Sequence, residues 1–486
     1  LLSIGLMTAY DHRAYGKEED LRHLQQLLKS GIGFLRIGSD IRIRCSLVVL
    51  FHPIGPNQTR QYIFDITKLY RKYDLFFRYN EIIMDIMLLR SSYLEKVKPF
   101  IGTPVVKVFT GIRRCGKSVL MEQVKECILG SGIASDHTLS LNFESLVDER
   151  VRTLESLVSA VMQMPPGKCY LFLDEIQELQ GWEKAVNSFL IDKDCDIYIT
   201  GSNAKILSGE LATYLGGRYI EIPVYPFSFK EVLALKETKG DREKHFTTTQ
   251  LFSSYIAWGG FPFLHNYDLG TDDVRQYLSA LSDSIILKDI SARHNIRDIS
   301  LLKVFLSFFI CEAGHAFSPS SLEKYMKNLK RKISTETIYN YLDYAQESGL
   351  LHLVPRQDLR GKEILKTQGK MYITDHGLRE GISGDNLRDI DQVLENITYI
   401  ELLRRGYGVT TGNNNGKEID FVAEKTGEKA YFQVCYLLAD EKTMQREFGA
   451  FDGLHDNWPK TVLSMDAISR SHDGIISRNI IDWLLA

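Results

Sequence analysis

The sequence has seven cysteines (Cys45, Cys115, Cys127, Cys169, Cys195, Cys311 and Cys435) and no C-x-x-C pair among them. That argues against a zinc ribbon or a disulfide framework and fits a reducing cytoplasm. No apolar run approaches the ~20 residues of a membrane helix. The longest, around Leu47–Phe51 and Leu301–Ile310, read as a core strand and a core helix, so no membrane partner is expected. The first residues show no basic stretch followed by an apolar one, so no secretory leader is expected. Excess positive charge is missing too: 59 basic residues stand against 62 acidic ones, a net charge of −3. Any nucleic-acid surface must then be a local patch. There is no internal repeat and no low-complexity tract. With 44% hydrophobic and 25% charged residues the chain is an ordinary globular one, neither disordered nor collagen-like. Its 486 residues suggest about three domains.

The chain begins with Leu1, and residues 1–83 show no sustained period. Arg42–Phe51 reads as one strand and Tyr62–Tyr79 as a mixed aromatic and basic stretch; Met84 and Met87 are alternative starts. Residues 1–85 are therefore expected to be an accessory or wrongly assigned upstream extension, with a small extra domain as the alternative. From Ser91 the pattern becomes regular. Strand-like runs at Val105–Thr110, Thr138–Phe143, Cys169–Leu173, Asp196–Thr200 and Tyr219–Val224 alternate with helix-like stretches at Lys117–Leu129, Leu154–Met162, Trp182–Ile191 and Ala204–Leu215. Such alternation means βαβ units and a parallel sheet. Beyond Pro226 the pattern is mostly helical up to about Leu350, and strand character returns between Gly408 and Tyr436. The expected divisions are 86–226, 227–316, 317–380 and 381–486.

Gly111-Ile-Arg-Arg-Cys-Gly-Lys-Ser118 fits G-x-x-x-x-G-K-[ST], with an apolar strand running into it and an apolar-periodic helix after it. That context makes it a phosphate-binding loop. The glycines let backbone N–H groups turn inward as an anion nest, and the helix N-terminus adds a positive dipole end. Gly111, Ile112, Arg113, Arg114, Cys115, Gly116, Lys117, Ser118 and Val119 are the expected ATP contacts. Lys117 would reach the β- and γ-phosphates, and Ser118 would give its hydroxyl to Mg²⁺. Arg113 and Arg114 add positive potential.

The strand CYLFLDE ends in Asp174 and Glu175. A continuous apolar run marks a central parallel strand, whose C-terminal end is where α/β sheets place their ligands. Asp174 would hold Mg²⁺ through water, and Glu175 would polarise the attacking water. The next strand ends at Gly201-Ser202-Asn203. Asn203 reads either as a hydrogen-bond partner of the γ-phosphate or its water, or as a cap of the following helix. Arg218 reads either as an arginine finger on a neighbouring subunit's nucleotide, which would require a homo-oligomer, or as a strand-edge arginine.

Residues from about 88 to 486 resemble the bacterial and archaeal ATPases that join an AAA-type P-loop domain to a C-terminal domain of unknown function, the DUF4143 group. The segments that carry the resemblance are KVFTGIRRCGKSVLM, YLFLDEIQEL, YITGSNAKIL, GGRYIEIPVYPFSF, WGGFP, LKDISARHNIRD and KEIDFVAE. It implies an α/β fold of the P-loop NTPase class (ASCE, AAA-type), with a parallel sheet flanked by helices, and it implies ATP binding and hydrolysis. A helical and winged-helix region would follow, then a restriction-endonuclease-like α/β domain.

Residues 317–322 open a helix with strong N-cap chemistry and an apolar stripe of Leu322, Tyr325, Met326 and Leu329. A basic knot, Lys330-Arg331-Lys332, precedes a second helix from Ser334 with Ile338, Tyr341, Leu342 and Ala345 inward, and a strand and a wing follow. Ser318 to Lys370 holds ten Lys and Arg against six Asp and Glu. Such a winged helix would bind DNA through major groove and phosphates, or serve protein packing alone; acidic Glu336, Asp343 and Glu347 weaken groove insertion. Glu395 on an amphipathic helix and Asp420 on KEIDFVAE match the layout of metal-dependent nucleases. Gln433-Val434-Cys435 stands where that layout wants Asp/Glu-x-Lys, so cleavage is not expected. Three functions follow: an ATPase coupled to DNA, a non-motor nucleotide switch that recognises a protein, and, least favoured, an ATP-controlled nuclease.

Overall fold

The computed structural model describes residues 88–486 apart from 146–147, 202–214, 239–245, 317, 332, 360, 362 and 385, together with three short strands earlier in the chain. Residues 1–87 and 88–486 form two compact units. In the first, β1 (Gly5–Leu6) and β2 (Phe34–Arg36) flank β3 (Leu47–Leu50) in antiparallel pairs. The strand expected over Arg42–Phe51 is thus found at Leu47–Leu50, and Tyr62–Tyr79, Met84 and Met87 lie outside the described residues.

The second unit begins with α1 (Ser91–Val97) and then alternates: β4 (Val106–Thr110), α2 (Lys117–Gly130), β5 (Thr138–Asn142), α3 (Leu154–Met162), β6 (Cys169–Asp174), α4 (Trp182–Asp192), β7 (Cys195–Gly201) and β8 (Tyr219–Pro223). The five strands form one parallel sheet in the order β5-β6-β7-β4-β8. Strands β4, β6 and β7 are buried along their whole length, which is why they read as unbroken apolar runs. Their side chains alternate between two cores. Val106, Val108, Leu171 and Ile199 meet α3 and α4 through Leu157, Val161 and Phe189. Phe109, Phe172 and Tyr198 meet α1 and α2 through Val97, Leu120 and Val124. Lys107 is a charged exception, fully buried and paired with Asp196 on the adjacent strand. All five expected strands are present within a residue or two. The helix expected over Ala204–Leu215 lies outside the described residues except for Leu215.

A helical stretch follows: α5 (Phe229–Thr238), α6 (Thr248–Trp258), α7 (Pro262–Asn266), α8 (Thr271–Ser284) running into a π-helical segment (Ile285–Ser291), α9 (Ile299–Cys311), α10 (Pro319–Asn328) and α11 (Thr335–Glu347). Ser318 and Ser334 cap α10 and α11 by accepting from the N–H groups of Ser321 and Thr337, as their sequence suggested. Ile338, Tyr341, Leu342 and Ala345 are buried, whereas Tyr325 and Leu329 of the expected α10 stripe stay exposed.

The chain then forms the antiparallel pair β9 (Leu351–Asp358) and β10 (Glu363–Ile373), α12 (Gly377–Ser383), α13 (Ile390–Arg404), β11 (Gly408–Asn414), β12 (Lys417–Lys425), β13 (Glu428–Val434), α14 (Glu441–Gly449), β14 (Lys460–Ser464), β15 (Ser471–His472), β16 (Ile475–Asn479) and α15 (Ile480–Leu485). All eight strands share one sheet, ordered β10-β9-β11-β12-β13-β14-β16-β15. Because β9 pairs in parallel with β11, the hairpin after α11 and the C-terminal strands are one continuous sheet across the division drawn at 380/381. Helix α13 differs from its expected amphipathic form: nine consecutive or near-consecutive residues from Val393 to Leu402 are buried, polar Asn396, Thr398 and Glu401 included.

Candidate nucleotide site

The loop between β4 and α2 leaves the sheet at Thr110, at the C-terminal end of its strand. Gly111 has φ +144, and a Cβ there would lie 2.2 Å from the Val224 carbonyl oxygen, so only glycine fits. Gly116 (φ +101) caps α2 in a left-handed conformation. Lys117 is buried and folds back over the loop: its Nζ donates to the carbonyls of Gly111 (3.0 Å) and Ile112 (3.2 Å) and stands 3.9 Å from Glu175 Oε1.

Three strand ends converge beside it. Asp174 Oδ1 accepts from Ser118 Oγ (3.0 Å) and Thr200 Oγ1 (2.5 Å), and its Oδ2 accepts from Asn142 Nδ2 (3.0 Å). Asn142 is the register partner of Asp174 on β5, and Thr200 follows the β7 partner of Leu173. Burial raises the Asp174 carboxyl above its ordinary range, and the hydroxyls of Thr200 and Ser118 pull it back. Glu175 takes a left-handed backbone (φ +51), with its N–H donating to Thr200 Oγ1 at 2.8 Å, which aims its side chain toward Lys117 rather than along the strand. The oxygen donors of Ser118, Asp174, Thr200 and Asn142 fit a hard divalent cation such as Mg²⁺.

The loop is held from outside by residues distant in sequence. The fully buried Arg90 donates Nη1 to the Cys115 carbonyl (3.2 Å) and Nη2 to the Tyr225 carbonyl (2.9 Å), and pairs with Glu231 at 2.7 Å. Arg113 makes a two-point contact with Asp289, Nε to Oδ2 at 3.0 Å and Nη2 to Oδ1 at 3.2 Å, and reaches Glu144 Oε1 at 3.2 Å. Burial works against its charge, but the two carboxylates outweigh it and hold the guanidinium protonated. Ile112 is buried, and a Cβ on Gly349 would sit 3.5 Å from its nitrogen.

Residues 103–233 match the family model of an AAA domain, and residues 249–389 match a domain of unknown function, DUF8612. An uncharacterized protein of Haemophilus influenzae is 37% identical over 403 residues, which cover 82% of this chain and 99% of that protein. The chain belongs to that protein's family. A second uncharacterized relative, from Methanocaldococcus jannaschii, is 31% identical over 364 residues, 71% of this chain and 78% of its own length. Among solved structures the chain is similar to a Walker-type ATPase of Pyrococcus abyssi (TM-score 0.43, 16% identity, 61% of this chain and 96% of that one). It is also similar to the RuvB branch migration motor of Thermotoga maritima (TM-score 0.29, 15% identity, 57% and 89%). The family-model match over residues 103–233 bears out the AAA-type P-loop domain expected from the resemblance; the model matched after it is DUF8612, where DUF4143 was expected.

Within the AAA domain, Gly111, Gly116, Lys117, Ser118, Asp174 and Glu175 are brought together. Val119 lies in the first turn of α2, half-buried, and Arg114 is exposed with φ +68. Cys115 is fully buried, and burial pushes its thiol up. Asn203 lies outside the described residues. Arg218 sits at the far edge of the sheet, level with Val106 at the start of β4, and donates to Asn187 Oδ1 (2.6 Å) and the Leu215 carbonyl (3.2 Å); it does not approach its own chain's loop. Sequence reasoning missed Arg90, Asn142, Thr200 and the Asp289 contact. Only Asn142 and Thr200 carried a signal: Asn142 ends, and Thr200 is one residue from the end of, a strand next to the one that ends in Asp174. Arg113 belongs to the AAA domain and Asp289 to the DUF8612 match, so the loop is tied directly to the second region.

Proposed function

We propose that the chain binds ATP with Mg²⁺ at the loop Gly111–Ser118, hydrolyses it, and passes its nucleotide state to a DNA or protein partner through the C-terminal elements. The observation that carries this reading is the convergence of Lys117, Ser118, Asp174 and Glu175 within one shell. The positive φ of Gly111 and Gly116 lets the loop turn backbone N–H groups toward an anion. Lys117, already at the mouth of the loop, supplies the cation for the outer phosphates. Ser118 and Asp174 would hold Mg²⁺, which when bound neutralises phosphate charge. Glu175 orients and polarises the attacking water. Asn203 would report on the γ-phosphate, and Arg218 would act on a neighbouring copy in a homo-oligomer.

Coupling rests on Arg90 and Arg113, which join the loop to Glu231 and Asp289. In this reading α10, α11 and the β9–β10 hairpin form a winged helix, and α13 to β14 a nuclease-like fold without cleavage, because Gln433 and Cys435 replace a carboxylate and a lysine. Exposed Glu336 and Asp343 on α11 favour a second reading, a non-motor switch that recognises a protein rather than a groove. ATP turnover measured with and without duplex and single-stranded DNA tests the choice. Stimulation by DNA that is lost on neutralising Lys330 and Lys332 supports the first reading. Nucleotide-dependent assembly without DNA affinity supports the second. No turnover under any condition contradicts the hydrolase.

A further inference from the structure

In the nuclease-like reading of α13 to β14 proposed above, Glu395 and Asp420 stand for the carboxylates that would hold a divalent ion. Here that place is filled. Lys370, buried on β10, sets its Nζ 2.7 Å from Glu418 Oε1, 2.9 Å from Glu395 Oε2 and 3.3 Å from Asp420 Oδ1. The ammonium donates to Glu395 and Asp420 and pairs with Glu418 as a third counter-charge. Two further donors hold the carboxylates in place: Tyr372 OH donates to the same Glu395 Oε2 at 3.0 Å, and the Val434 N–H donates to Asp420 Oδ2 at 2.9 Å. Gln433, the neutral residue at the lost metal position, accepts the Asp420 N–H at 3.2 Å. Among the described residues no His, Cys, Asp or Glu cluster has the geometry of a metal site. The residues therefore do not fit a metal.

The backbone explains how the lysine arrives there. The β9–β10 register slips between Leu365 and Lys370, and a Cβ on Gly369 would lie 2.7 Å from the Val354 carbonyl oxygen. A bulge of this kind re-aims the side chain that follows it. Because β10 belongs to the hairpin after α11, one ammonium pins that hairpin to α13 and β12.

We infer that Lys370 is the resident cation of this cluster, standing in for a divalent metal, so that the C-terminal module keeps its shape without one and joins the hairpin to it. This does not depend on the nucleotide chemistry proposed above. A lysine of a working metal centre would instead stand beside the ion and leave the carboxylates free to bind it.

The test uses the full chain without nucleotide, following thermal unfolding and the electron paramagnetic resonance of added Mn²⁺. Wild type is expected to show no Mn²⁺-dependent rise in Tm that Asp420→Asn removes; any Mn²⁺ taken up at Ser118 and Asp174 is unaffected by that change. Lys370→Met should lower Tm and recover several degrees with Mn²⁺, with bound ion detected, and the added change Asp420→Asn should abolish that recovery. Asp420→Asn alone should lower the metal-free Tm, since it removes a partner of the ammonium; at a metal site the same change relieves repulsion and raises it. The proposal is overturned if wild type gains stability from Mn²⁺ and Asp420→Asn removes the gain, if Asp420→Asn alone raises Tm, or if folded Lys370→Met ignores Mn²⁺. Should Lys370→Met fail to fold, the wild-type and Asp420→Asn arms decide.

Discussion

Arg113 and Asp289, 176 positions apart, face each other in a two-point contact at 3.0 and 3.2 Å. One lies in the phosphate loop, the other in a π-helical segment, a form that recurs at functional positions. A double-mutant cycle with Arg113→Ala and Asp289→Asn should give a coupling of about 1–2 kcal/mol in denaturant unfolding. The same cycle repeated with bound nucleotide should give a different coupling. Additive effects in both states would mean that the pair carries no signal.

Arg90 offers a larger effect. Its guanidinium is fully buried between the Cys115 carbonyl and Glu231, so Arg90→Met leaves Glu231 without its main counter-charge. Burial alone would raise the Glu231 carboxyl, and Arg90 is what brings it down below the ordinary range. The loss should be about 3–5 kcal/mol. Arg90→Lys should rescue little, because a single ammonium cannot hold two carbonyls and a carboxylate in one plane. Chemical denaturation of the three proteins measures this; wild-type stability in Arg90→Met would refute the role.

Two adjacent buried groups should pull the pH profile in opposite directions. Burial pushes Asp375 up to about 7, partly countered by the N–H groups of Gly260 and Gly377. The folded state therefore binds a proton that the unfolded chain has lost, and stability from this group falls as pH rises from about 4 to about 7. Burial drives His376 down to about 4, so stability from that group falls as pH drops from about 6.5 to about 4, by roughly 3 kcal/mol. Asp375→Asn should thus steepen the loss in acid, and His376→Gln should steepen the loss toward neutrality. Parallel profiles in all three proteins would contradict both assignments.

The nucleotide domain was legible because its strands are central. Strands buried on both faces must be apolar throughout, and the loop and the Asp174–Glu175 pair sit directly at their ends. The contacts that brace the loop were not legible. Arg90 and Asp289 are single charged residues whose partners lie far along the chain, and no local pattern marks them. Helix α13 was misread for a related reason. Its Asn396 and Glu401 look like a solvated face, yet Asn396 bonds the backbone of Ile373 on both sides (2.9 and 2.8 Å), and Glu401 holds Arg404 (2.7 Å) and Arg405 (2.8 Å). Buried polar groups that are fully partnered mimic surface ones in a sequence. Lys370 went unnoticed because a strand slip, not its spacing, turns it inward.

The most direct measurement compares ATP binding and single-turnover hydrolysis in wild type, Lys117→Ala and Glu175→Gln, with Mg²⁺ present. Lys117→Ala should lose binding by at least about tenfold, a change of ~1.4 kcal/mol. Glu175→Gln should bind ATP as wild type does and hydrolyse it at least about a hundredfold more slowly. Unchanged binding in Lys117→Ala together with normal turnover in Glu175→Gln would show that the loop and its neighbouring acids are not the nucleotide site.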